Sequence, residues 1–310
     1  MKSQRLVLWN PNARQSESSE TLLARVSESD NTRVVILDQP DTAAKALDQY
    51  GNGVHIIIAG GDGTIHRVLN SAVEKEIEAT YSVLPLGTGN DFAAALGQTK
   101  SPWEAWAAIE NEEFKERCVD IARIVLDGEP RFFFNTVAAG VSAEYSEKVT
   151  SEEKRLLGPL SYLKGSFDVI VNQRSFPIRY TLDEGEPHEV QIANCFVSNS
   201  SACGGGIQIA PGAEVDDRML HFVIYNEMNS VDRMMLITDY LAGRYKENEA
   251  VTIYQCRKAR LQSKAPLPLS IDGEIEHAND IEIELIPQRL NILVPHSERM
   301  AEESIPTLPL

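Results

Sequence analysis

A chain of 310 residues with 43% apolar and 24% charged side chains is long enough for two modest cores and has an ordinary globular composition, which excludes fibrous and disordered classes. Its 29 basic against 46 acidic side chains give a formal charge of -17, a field that repels nucleic acid and anionic bilayers, so nucleic acid is not an expected partner. Cys118, Cys195, Cys203 and Cys256 form no CxxC pair and no run of about 18 apolar residues occurs, so the chain reads as cytoplasmic, with any membrane contact peripheral and transient.

In chain order, the apolar runs at 5–9, 33–37, 54–59 and 81–86 read as buried parallel strands. Helical spacing at 20–27, 42–50, 64–76, 91–96 and 102–110 falls between and after them, the alternation of a doubly wound α/β sheet. After Cys118 the texture becomes β-rich, with strands expected at 119–126, 131–137, 178–183, 189–198, 220–225, 250–263 and 267–271 and helices only at 158–172 and 230–241. A last strand is expected at 290–294. The fold class that follows is α/β: an N-terminal doubly wound parallel-sheet domain, 1–118 with 290–310 returning to it, and a mainly antiparallel β sandwich or barrel-like domain, 119–289.

Two turns carry the chemistry. Gly60, Gly61, Asp62, Gly63 and Thr64 stand between an apolar strand and an amphipathic helix, where backbone N–H groups and the helix macrodipole favour phosphate. No Lys-Ser/Thr pair follows the glycines and the GxGxxG spacing is missing, so this is neither a Walker P-loop nor a dinucleotide fingerprint. An acid beside phosphate needs a cation, and the simplest assignment places Asp62 on the Mg²⁺ carried by ATP. Gly87, Thr88, Gly89, Asn90, Asp91 and Phe92 repeat the plan after the next strand. Two such turns at the carboxyl ends of neighbouring strands face one crevice, the usual ligand position in an open α/β sheet. Each turn by itself also fits a plain steric account, with glycine relieving a tight connection and Asn90 or Asp91 capping a helix.

GGDGT (60–64) taken with PLGTGNDFA (85–93) resembles the diacylglycerol kinase catalytic family, which includes bacterial lipid kinases and sphingosine kinases; the NAD kinase and phosphofructokinase superfamily shares the GGDGT element more distantly. Further matches are Asn10-Pro11, the GPLSY run at 158–162, Asn199 ahead of Gly204-Gly205-Gly206, the stretch 210–220, and Asp272-Gly273-Glu274. The resemblance implies ATP held by Asn10, Arg14, Gly60, Gly61, Asp62, Gly63, Thr64, Ile65, His66, Gly87, Thr88 and Asn90, with Asp62 and Asp91 the acids near phosphate and metal. It implies Glu274 as acceptor of the substrate proton, with Asp272 in reserve, although Asp-Gly also fits a plain β-turn. It implies a structural Mg²⁺ loop with Glu214, Asp217 and Met219 as ligands, Met219 through its carbonyl.

Three positions depart from the pattern. Arg218 stands where the metal loop usually has glycine, Gln15 where the first turn usually has lysine, with Arg14 one place earlier, and Leu37 where a polar residue often meets the nucleotide. The expected activity is transfer of the ATP γ-phosphate to a hydroxyl of a lipid such as diacylglycerol, phosphatidylglycerol or a sphingoid base. A soluble small-molecule kinase of the NAD kinase type and a nucleotide-binding regulatory protein without turnover are the alternatives. A monomer and a dimer are both compatible with the chain. Trp103 and Trp106, at helical spacing, read as packing, and the apolar stretch 156–171 reads as core packing or, in the alternative, as the lining of a lipid-access groove.

Overall fold

In the computed structural model, which describes residues 4–13, 17–98, 100–148, 174–241 and 244–295, the chain falls into two units. One is Met1–Arg117 with Asn291–Leu310, the other Cys118–Leu290.

The first unit is built on four parallel strands, β1 (Arg5–Trp9), β2 (Thr32–Ile36), β3 (His55–Gly60) and β4 (Thr80–Pro85). β1 pairs with β2 and β3, and β3 with β4. Every residue of β1 and β3 is buried, which is why these strands read as unbroken apolar runs. Asn291 and Ile292 pair in parallel with Thr80 and Tyr81 and so extend the sheet beyond β4. Helices α1 (Glu17–Ser27), α2 (Thr42–Tyr50), α3 (Asp62–Glu74), α4 (Asp91–Ala95) and α5 (Pro102–Asn111) connect or follow the strands. α5 starts cleanly because the Ser101 side chain accepts from the Glu104 N–H at 3.3 Å and Pro102 fills the first turn, where its missing N–H costs nothing. Trp106 is buried with Val7, Leu22 and Ile57 in the core of this unit, whereas Trp103 is exposed.

The second unit is antiparallel. Its strands are the end of β5 (Phe114–Leu126), β6 (Glu129–Phe133), β7 (Thr136–Gly140), β8 (Phe176–Leu182), β9 (His188–Ser198), β10 (Ala202–Cys203), β11 (Ile207–Gln208), β12 (Leu220–Asn226), β13 (Val251–Cys256), β14 (Lys258–Ile271) and the first part of β15 (Glu274–Pro295). The order β13-β12-β9-β7-β14-β15 forms its main path, with β8 bridging β9 and β14, β5 pairing with β6 and β15, and β10 and β11 forming a separate ribbon. Among the described residues the α-helices that accompany them are α6 (Val141–Lys148) and α7 (Ser230–Leu241). Along β12, Phe222 and Ile224 join one apolar cluster and Val223 the other, the period-two alternation that gives a sheet two core faces.

Four expectations change. The strands expected at 250–263 and 267–271 are instead β13 and β14, divided at Arg257, with β14 running on through 264–266 over a shift in its pairing with β15. The run 131–137 is two strands broken at Phe134 and Asn135, and α6 follows β7 directly where no helix was expected. The strand expected at 290–294 is the end of the 22-residue β15. The expected helix at 158–172, the stretch 156–171 and the GPLSY match lie outside the described residues. Among the described residues no helix is long and apolar enough to cross a membrane.

Candidate functional site

The two glycine turns of the first unit touch each other. A Cβ on Gly61 would sit 2.9 Å from the Gly87 Cα, and one on Gly87 would sit 2.5 Å from the Gly61 Cα and 2.7 Å from the Asn90 Oδ1. A Cβ on Gly60 would meet the Thr64 Cβ at 2.5 Å. These glycines are therefore required by close approach of backbone to backbone or to an adjoining side chain. Gly63 differs: a Cβ there meets nothing within 4 Å, so the first turn of α3 opens onto free space.

Side chains complete the contact. The Asp62 Oδ1 accepts from the Phe92 N–H at 3.1 Å, so the acid of the first turn caps the helix that follows the second. Asn90 is left-handed, with φ 53, and its amide closes its own turn by accepting from the Gly87 N–H at 2.8 Å and donating to the Gly87 carbonyl at 3.0 Å. The Asn10 Nδ2 donates to the Thr64 Oγ1 at 2.7 Å, which joins the turn after β1 to the same group. Asn10, Gly60, Gly61, Asp62, Thr64, Gly87 and Asn90 thus form one connected array.

The other expected nucleotide residues divide. Thr88 is exposed at the tip of its turn, and Asp91 is half-buried as the first residue of α4. Ile65 is a core side chain, so anything it offers a ligand comes from its backbone. His66 is buried, with its Nε2 3.2 Å from the Asn70 Nδ2. Arg14 and Gln15 lie outside the described residues.

In the second unit, Asp272 and Gly273 link β14 to β15 with φ values of 46 and 96, a two-residue left-handed turn flanked by the pair Ile271 and Glu274. The Asp272 carboxylate accepts from three successive N–H groups: Phe134 at 2.8 Å, Asn135 at 3.0 Å and Thr136 at 2.8 Å. Glu274 is exposed at the head of β15. Of the polar residues behind this turn, sequence reasoning singled out Asn199 as a match but missed Asn135, Thr136, Ser198 and Ser200. The Asn135 carbonyl accepts from the Asn199 N–H at 2.8 Å, its side-chain oxygen accepts from the Ser200 hydroxyl, and the Thr136 and Ser198 hydroxyls lie 2.8 Å apart. Ser198, Asn199 and Ser200 are fully buried. The available signal was a run of small polar residues leading into three glycines.

The residues expected to hold a structural cation are already engaged with one another. The Asp217 Oδ1 accepts from the Met219 N–H at 2.8 Å, and its Oδ2 accepts from the Glu214 N–H at 3.1 Å and lies 3.0 Å from the His221 Nε2. Burial acts to raise the Asp217 carboxyl, but the His221 hydrogen bond and the two N–H groups outweigh it and hold the group below its ordinary range. Arg218 is left-handed, with φ 62, and its N–H donates to the Asp120 Oδ2 at 2.7 Å. Among the described residues no group of three or more His, Cys, Asp or Glu is placed to hold a metal ion. The loop is held by the Asp217 carboxylate, which gathers two backbone N–H groups and the His221 imidazole.

Known proteins resemble both units of the chain. Residues 4–124 match the family model for the diacylglycerol kinase catalytic domain. Residues 135–294, more than half of the chain, match that for the YegS C-terminal NAD kinase beta sandwich-like domain. A "Probable lipid kinase YegS-like" protein of Xanthomonas euvesicatoria pv. vesicatoria is 30% identical over 255 residues, which cover 80% of this chain and 81% of that one. A diacylglycerol kinase of Bacillus subtilis is 27% identical over 220 residues, covering 71% and 70%. A solved diacylglycerol kinase structure from Bacillus anthracis str. Sterne superposes with a TM-score of 0.72 at 21% identity, covering 95% of this chain and 98% of that one, a likeness of fold. The chain belongs to the diacylglycerol kinase family, in its YegS-like branch, and is a kinase with an alcohol group as acceptor.

Proposed function

We propose that the first unit binds ATP with its Mg²⁺ and that the second binds a lipid alcohol, whose hydroxyl receives the γ-phosphate. The observation that carries this reading is the interlocking of the two glycine turns. Gly61 against Gly87 and Asp62 on the Phe92 N–H hold two helix N-termini in fixed relation, while Gly63 leaves the space before α3 open. A cradle of this kind suits an anionic polyphosphate, because N–H dipoles that are already oriented need no reorganisation to meet it.

Phosphoryl transfer asks the protein mainly for alignment and charge compensation. The nucleotide, when bound, supplies the transferable phosphoryl group, and its Mg²⁺ offsets the charge that develops on it. Gly60 to Thr64 and Gly87 to Asn90 provide the backbone cradle, Asn10 steadies Thr64 from the side, and the carboxylates of Asp62 and Asp91 are the protein groups suited to the cation or its waters. Glu274 takes the proton of the attacking hydroxyl, a role that its exposed position at the head of β15 permits.

The test is transfer of label from γ-labelled ATP to a panel of diacylglycerol, phosphatidylglycerol, a sphingoid base and NAD. Label in a lipid is the expected result. Label in NAD alone removes the lipid assignment, and saturable ATP binding with no transfer to any acceptor favours a regulatory protein.

A further inference from the structure

The Asp-Gly-Glu hairpin tip holds two carboxylates whose surroundings differ in kind. Three of the roughly four acceptor positions of a carboxylate are occupied at Asp272 by the N–H groups of Phe134, Asn135 and Thr136. The link is reciprocal, because the Asp272 N–H donates to the Thr136 carbonyl at 2.9 Å. Phe134, Asn135 and Thr136 are themselves buried and Asp272 is half-buried, so without that carboxylate their N–H groups would lose an acceptor at a largely enclosed place. Successive N–H groups converging on one anion form a nest, which is a fixing device.

We propose that Asp272 is a positioning residue that sets the place of Glu274. This rests on Glu274 being the proton acceptor. The turn has one backbone solution, since Asp272 and Gly273 are both left-handed, so anchoring the Asp272 carboxylate fixes where β15 begins and with it the Glu274 Cα. The anchor is held in turn from behind: Asn135 accepts from Asn199 and Ser200, and Thr136 meets Ser198. Asp272 is committed to the three N–H groups, whereas Glu274 at the head of β15 is exposed, so the anchoring and proton-accepting roles fall to different carboxylates.

The experiment compares Asp272→Asn, Glu274→Gln and Gly273→Ala in the full chain with the best acceptor of the panel. Asp272→Asn is expected to lower kcat about 10- to 100-fold with the KM for ATP unchanged within about twofold, the scale on which misplacement of a reacting group acts. It should also speed amide exchange at 134–136, where the N–H groups lose part of their acceptor. Glu274→Gln is expected to lose more than about 1000-fold in kcat and to leave exchange at 134–136 unchanged. Gly273→Ala meets no atom within 4 Å but is strained at φ 96, so it moves the tip without touching the carboxylate. It should show the same loss of kcat at constant KM, and it serves if Asp272→Asn does not fold.

Asp272→Asn with wild-type kcat overturns the proposal. So does Asp272→Asn as inactive as Glu274→Gln with exchange at 134–136 unaltered, which would give Asp272 a direct chemical role. Near-normal turnover in Glu274→Gln removes the proton-acceptor reading itself, an outcome told apart from the others by the variant in which it appears.

Discussion

The Asp62 carboxylate reaches across to the N–H of Phe92, 30 residues further on, and so makes the acid of one glycine turn a structural part of the other. The bond separates two roles that a single alanine variant would confuse. Asp62→Asn keeps an oxygen able to accept from Phe92 but has no charge. It should therefore keep its thermal midpoint and lose more than about 100-fold in kcat if the charge serves the nucleotide and its cation. Asp62→Ala should lose activity and in addition about 1 kcal/mol of stability from the lost cap. Thermal denaturation beside steady-state kinetics for the two variants checks both. A fully active Asp62→Asn would confine the residue to holding the turns together.

The glycines make a graded prediction. A methyl group at Gly61 or Gly87 lands on the backbone of the opposite turn, which gives way only if a turn moves, so either alanine variant should destabilise the first unit by about 1–3 kcal/mol or more. At Gly63 the methyl group enters open space within α3, and alanine there should be neutral or stabilising by up to about 1 kcal/mol. If phosphate approaches α3 at this point, the same methyl group obstructs it, and ATP should raise the melting temperature of Gly63→Ala less than that of the parent. A variant with unaltered ATP stabilisation would move the phosphates away from Gly63.

The location of both turns is legible in the sequence because each follows an apolar strand and precedes an amphipathic helix, a local pattern. The contacts that give the turns their geometry are not local. Gly61 meets Gly87, and Asp272 meets backbone N–H groups 136 to 138 residues earlier, groups that carry no residue signature. The break in the run 131–137 follows from the same clamp, since Phe134 and Asn135 give their N–H groups to Asp272. β15 shows the opposite case. Ile281, Ile283 and Leu285 are buried, and the glutamates between them pair with Arg260, Lys258 and Arg123, a period-two signal present in the sequence but obscured by its charge.

The loop 210–220 yields a prediction about cations. With Asp217 bonded to Glu214, Met219 and His221, the nucleotide-free protein should melt at the same temperature, within about 1 °C, with and without a chelator. His221→Ala takes a buried partner from Asp217 and should cost about 1–3 kcal/mol, a shift of several degrees. Titration with Mg²⁺ alone supplies the opposing result: a saturable rise in melting temperature that Asp217→Asn abolishes would show that the loop takes a cation.

Acid sensitivity of the first unit should centre on His55. Burial, assisted by the nearby Arg5 charge, lowers this imidazole from its usual 6.5 to about 4. The Ser82 hydroxyl donates to the Leu293 carbonyl, so its oxygen is the acceptor and the His55 Nε2–H the donor at 2.9 Å, which fixes the neutral tautomer. The folded state therefore resists a proton that the unfolded chain accepts. The stability due to neutral His55 is complete above pH 6.5 and falls as pH drops through the window down to about 4, by about 1.4 kcal/mol per pH unit and about 3 kcal/mol in all. Other groups titrate in the same range, so the measurement is a difference. Urea unfolding at pH 7 and pH 5 should show a loss about 2 kcal/mol smaller in His55→Gln, which keeps a donor for Ser82 and binds no proton. Equal losses in variant and parent would show that His55 is protonated in the folded protein as readily as in the unfolded chain.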